Sequence, residues 1–61
     1  MDLQRRIEIH LRRSGVTAAR FGRDVMGDPR FVFDLRKGRE LRPSTAARVS
    51  AWLDRQQAVR A

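Results

Sequence analysis

Between Arg30 and Arg42 the chain concentrates cations: Arg36, Lys37 and Arg39 lie inside that span, with Phe33 and Asp34 set among them. The rest of the sequence has the same bias. There are 14 Lys and Arg against 7 Asp and Glu, a formal net charge of +7, and every basic residue except Lys37 is arginine. A guanidinium presents a planar fork of donors that fits a phosphate or the O6/N7 edge of guanine. A basic surplus of this kind is the electrostatic footprint of a nucleic-acid binder; on composition alone, the alternative is a merely arginine-rich soluble chain. Other chemistry has little to work with. No paired carboxylates, nucleophile and base, metal-ligand cluster or phosphate loop occurs, and the isolated glycines form no nucleotide-binding fingerprint. His10 is the sole histidine, with no cysteine or acidic cluster at ligand spacing, so it reads as a partly buried structural residue. No enzyme, cofactor, metal site or small-molecule ligand is expected.

These side chains need short helices to present them. Sixty-one residues make one small domain, which buries only about 60% of its unfolded surface. The spacing predicts an all-α, compact four-helix domain with a frayed final turn. Without cysteine there are no disulfides or thiolate metal sites, which fits a reducing cytoplasm. No strictly apolar run exceeds a stretch such as Phe31-Val32-Phe33, so neither a membrane span nor a signal peptide is expected. A cytoplasmic location follows.

Asp2 is placed to cap a first helix from Leu3 to about Arg13, with Leu3, Ile7, His10 and Leu11 on one face. Ser14-Gly15 ends it, and Ile9 lies off the stripe as a candidate partner contact. Thr17 caps a second helix, Ala18 to Val25, in which Phe21 is the bulky plug and Gly22 allows close approach. Arg20 and Asp24 are spaced to pair. Gly27 suits a left-handed turn, Asp28 an N-cap and Pro29 a first helical position, so a third helix should run from Pro29 to about Lys37 and stop at Gly38. Val32 and Leu35 face inward, with Phe31 near that side. The opposite side carries Arg30, Phe33, Asp34 and Lys37, with Arg36 at the margin. Leu41 should tuck back into the core. Ser44 caps a last helix, Thr45 to Gln57, whose inner face is Thr45, Val49, Trp52 and Leu53, with Ala46 at the edge. Trp52 is expected as the main aromatic of the core, and residues 55–61 as a frayed tail.

Phe21, Gly22, Val25, Val32 and Leu35, followed by Gly38 and Arg42-Pro43-Ser44, carry a resemblance. The stretch from Phe21 to about Val49 resembles the lambda-repressor-like (Cro/XRE-type) helix-turn-helix family, in its short stand-alone bacterial and prophage form. The unit itself covers about residues 17–38. One departure is plain: the family's turn glycine falls at Met26, whereas this chain has Gly27. Either Met26 is left-handed or the turn is rearranged.

The resemblance implies a sequence-specific regulator of transcription, most simply a repressor, bound to double-stranded DNA in the nucleoid. The helix 29–37 would enter the major groove. Arg30, Phe33 and Asp34 are the candidate base readers: Phe33 toward a thymine methyl, Asp34 toward a cytosine amino group or as the orienting partner of Arg30. Packing of Phe33 under the Arg39–Leu41 loop is the structural alternative. Thr17, Arg20, Arg36, Lys37, Arg39, Arg42 and Ser44 are candidate phosphate contacts, which fix register without reading sequence. A module this small reads few base pairs, so a homodimer or cooperative pair is expected, and activation would need a surface for RNA polymerase. Two other functions use the same fold. One is an interaction module for a polymerase subunit, sigma factor or toxin, and the other is a non-specific architectural DNA binder.

Overall fold

Side-chain caps and left-handed glycines set most of the helix boundaries in the computed structural model, which describes residues 2–60 and the side chains of residues 2–57. α1 (Leu3–Ser14) begins where the Asp2 carboxylate accepts the Arg5 N–H at 2.9 Å, and it ends at Gly15, φ +75°. α2 (Ala18–Met26) begins where the Thr17 hydroxyl oxygen accepts the Arg20 N–H at 3.2 Å. It ends at Gly27, φ +68°, whose N–H donates to the Arg23 carbonyl. Met26 therefore stays helical and Gly27 alone supplies the left-handed residue, so the turn sits one place later than in the resembled pattern.

α3 (Phe31–Arg36) is shorter at both ends than the expected Pro29–Lys37. The Asp28 carboxylate accepts the Arg30 N–H at 2.9 Å and the Asp28 carbonyl accepts the Phe31 N–H at 3.1 Å. Residues 28–31 thus close a turn of their own, because an Asp side chain bonds readily to the backbone two residues on. Arg30 becomes the cap residue, and its carbonyl accepts the first helical bond from Asp34. At the other end Gly38, φ +98°, donates to the Leu35 carbonyl while Arg39 donates to the Asp34 carbonyl. That pair of bonds is the Schellman motif, and it stops the helix at the glycine, as expected.

α4 (Pro43–Arg60) starts earlier and runs further than the expected Thr45–Gln57. Arg42 stands at the cap position, its carbonyl accepting the Ala46 N–H at 2.9 Å. Pro43, which lacks an N–H and has a fixed φ, fits the first helical position and displaces Ser44 from the cap into the first turn. Residues 55–60, the described part of the expected tail, continue the helix; Gln, Ala and Arg are good helix formers and no Gly or Pro interrupts them. The end of the expected tail, Ala61, lies outside the described residues.

All four helices feed one core of Ile7, Phe21, Val25, Phe31, Val32, Leu35, Val49 and Leu53, with Val16, Leu41 and Trp52 packed against it. Phe21 rather than Trp52 is its central aromatic: Phe21 is fully enclosed, whereas Trp52 is only partly buried and meets it edge-on at 5.2 Å. His10 meets both rings, tilted at 5.7 Å from Phe21 and edge-on at 5.4 Å from Trp52. The Cα radius of gyration, 10.8 Å, matches the value of about 10.5 Å for a compact chain of this length. No helix among the described residues is long and apolar enough to cross a membrane.

α2 and α3 meet at Gly22. A Cβ built there would overlap the Asp28 carbonyl oxygen and lie 3.1 Å from the Phe31 Cβ. The missing side chain is what lets the incoming turn and α3 lie directly on α2. That contact fixes the direction in which the outer face of α3 points.

Candidate nucleic-acid interface

The inner face of α3 is spent on the core, with Val32 fully buried and Phe31 and Leu35 nearly so. Its outer face is what the fold leaves to solvent. Phe33 is 44% exposed, so it does not pack under the 39–41 loop, and it is the one large apolar residue counted as exposed among the described residues. Arg30 is exposed one turn before it and Lys37 one turn after, and Arg42 is exposed at the start of α4. Among the described residues none of these three cations has an ion-pair partner. They remain available to a polyanion.

The neighbouring candidates are engaged within the protein. Arg36 grips Glu8 of α1 with both arms of its fork, Nε to Oε2 at 2.7 Å and Nη2 to Oε1 at 2.8 Å. Its guanidinium carbon lies 5.6 Å from the centre of the Phe33 ring. A bidentate pair is stronger and more directional than a single contact. The Arg36 hydrogen bond, helped by the positive charges of Arg36 and Arg12, holds the Glu8 carboxyl below its ordinary value of 4.5 against a smaller desolvation effect. The same hydrogen bond pushes the Arg36 guanidinium further up. Asp34 accepts from Arg39 at 3.1 Å, so its partner is the loop arginine and not Arg30. This follows from the short helix: Arg30 precedes α3, while the Schellman turn brings Arg39 back over Asp34.

The remaining candidates sit at the edges. Arg20 pairs loosely with Asp24 at 3.8 Å, the expected partner, and both are well exposed. Thr17 spends its oxygen on the α2 cap, and Ser44 is exposed in the first turn of α4. Most of the acidic side chains are engaged within the protein. Asp2 and Asp28 accept backbone N–H groups, while Glu8, Asp24, Asp34 and Asp54 sit in ion pairs. The positive surplus therefore resides on side chains without such partners, among them Arg30, Lys37 and Arg42.

Sequence reasoning missed Glu8. It stands 28 positions from Arg36 and belongs to the polar side of α1, and no local spacing links the two. The only available signal was an acid among the arginines of that helix. No protein-family model, curated protein or solved structure matches the chain.

Proposed function

We propose that the chain is a sequence-specific, double-stranded-DNA-binding transcriptional regulator that represses by occupying its site, with α3 laid in the major groove as a recognition helix. One observation carries the reading. The outer face of α3 joins an exposed aromatic to unpaired cations at one helical turn on either side, on a two-helix unit whose inner face is buried. Arg30 and Phe33 would read base edges, while Lys37 and Arg42 would hold phosphates and set register. Two copies, as a symmetric dimer or a cooperative pair on a two-part site in the nucleoid, would supply the specificity that one short helix lacks.

The test is to capture genomic fragments on the purified protein at about 150 mM salt, a concentration at which non-specific phosphate binding is weakened, and to sequence what stays bound. A shared two-part motif supports the reading; broad recovery without a motif would move the protein to the architectural class. On a recovered site, Arg30→Ala and Phe33→Ala should each lower the preference for cognate over random DNA by about 1–3 kcal/mol. Lys37→Ala and Arg42→Ala should weaken all sequences alike and each reduce the salt slope by about 1. The same loss from all four variants would sink this division of roles. A protein-interaction module is the second reading, favoured by the exposure of Phe33 together with the carboxylates that hold Arg36 and Arg39. Retention of no fragment above background would select it.

A further inference from the structure

We infer that Phe33 reads the 5-methyl group of a pyrimidine, and that the Glu8–Arg36 pair reaching across from α1 holds its ring in the reading position. The inference rests on the DNA-binding role proposed above and deepens it to the group being read.

The argument starts from what Phe33 can meet. Its ring is held on a helix whose opposite side is locked into the core, and it is flanked at one helical turn by exposed cations, Arg30 and Lys37, that suit a polyanion. A partner that satisfies both must be polyanionic and still offer an apolar projection. The major-groove edges of guanine, cytosine and adenine present donors and acceptors; thymine adds a methyl at C5. A methyl stands at the same place on 5-methylcytosine. Single-stranded nucleic acid suits this ring less well, because such sites stack successive bases on several aromatics, and Phe33 has no exposed aromatic companion among the described residues.

Arg36 restricts the ring. Its guanidinium lies beside Phe33 at 5.6 Å and is itself fixed by two short bonds to Glu8. A cation placed over a ring within about 6 Å attracts it. Because Nε and Nη2 are committed to Glu8, Arg36 has fewer donors left for phosphate than Arg30 or Arg42. It acts through Phe33, as a positioning residue, and Glu8 acts through Arg36. The free energy of an exposed ion pair is small, so the consequence falls on orientation more than on stability.

The experiment uses the full chain and a duplex recovered by the fragment capture, with each thymine replaced in turn by uracil, which removes only the methyl. At one or more positions the wild-type affinity should fall about fourfold, the value of one buried carbon at about 0.8 kcal/mol. Phe33→Ala should bind thymine and uracil duplexes equally at those positions. Glu8→Gln and Arg36→Met should narrow the thymine-to-uracil ratio toward one, a ratio taken within each variant so that its altered charge acts on both duplexes alike, while keeping wild-type helicity by circular dichroism. At a responsive position rebuilt as a C·G pair, 5-methylcytosine should bind more tightly than cytosine by a similar factor. Comparison with the T·A duplex then identifies the base that the site takes.

A wild-type protein that binds its site but ignores every uracil substitution overturns the methyl reading and leaves DNA binding intact. A ratio unchanged in Phe33→Ala overturns it too. A ratio unchanged in both Glu8→Gln and Arg36→Met overturns the positioning role. Failure to retain any fragment in the initial capture rejects the DNA-binding role itself, so the two failures are distinct.

Discussion

α2 meets α3 through backbone, and α1 meets α4 through side chains. At the first junction Gly22 leaves no room for even a methyl between α2 and the turn carbonyl of Asp28. At the second, Arg6 of α1 reaches Ser50 at 2.8 Å and Asp54 at 2.7 Å across helices that present Ile7, Val49 and Leu53 to the core. Backbone contact leaves one geometry, whereas long side chains can re-form a contact after a small shift. The junction that aims Phe33 and the flanking cations outward is therefore the rigid one, and the α1–α4 pair is its adjustable support. Phe21 belongs to both, since it sits on α2 and touches His10 of α1 and Trp52 of α4.

Removing that shared residue should have the largest effect. Phe21→Ala is expected to cost about 3–5 kcal/mol. A domain this small holds roughly 3–5 kcal/mol in total, so the variant should lose its helical circular dichroism at 25 °C. A cooperative native-like melt from this variant would mean that the two junctions stand without a common core.

Next comes the junction itself. Gly22→Ala should destabilise by about 1–3 kcal/mol in urea, because the turn must move away from α2. The sign is the informative part, since the same change at an open helical position would stabilise by about 1 kcal/mol. A raised urea midpoint would show that α2 and α3 do not approach this closely in solution, and the comparison would then collapse.

The support should yield more gently. Arg6→Ala removes an ion pair whose acidic partner Asp54 is largely exposed. A loss of no more than about 1 kcal/mol is expected, and it should shrink as salt is added. A loss as large as that of Gly22→Ala would make the two junctions equivalent.

The same contrast separates what the sequence disclosed from what it hid. Signals confined to a few neighbouring residues were legible. Asp2 and Thr17 cap where expected, Gly38 stops α3, and Ile7, Phe21, Val25, Val32, Leu35, Val49 and Leu53 are buried as their helical spacing implies. The Met26–Gly27 ambiguity could not be resolved from spacing, because only the backbone angles tell which residue is left-handed. Two strong local preferences competed at each remaining boundary. Asp28 closed a turn instead of capping a helix from Pro29, and Pro43 took the first helical position ahead of Ser44. Of the expected site residues, Phe33, Arg30, Lys37 and Arg42 stand exposed without an acidic partner, as their wheel positions or loop placement suggest. Arg36 and Asp34 do not, because their partners lie on another helix and beyond a turn.

The smallest effect concerns the link between the two regions, Glu8 of α1 with Arg36 of α3. The Arg36 hydrogen bond depresses the Glu8 carboxyl in the folded chain, so Glu8 binds its proton less readily there than when unfolded. A group lowered in this way contributes its stability above its unfolded value, near 4.5, and loses it as pH falls through the lower folded value. Glu8→Gln keeps an acceptor but removes the charge and cannot titrate. Its deficit in urea midpoint relative to wild type should be constant above the unfolded value and close as pH falls through the lower folded value. Both side chains are partly exposed, so the deficit should be a fraction of that of Gly22→Ala and should shrink with salt. A deficit that stays unchanged as pH falls well below the unfolded value would mean that the charge of Glu8 does not carry the link between the two regions.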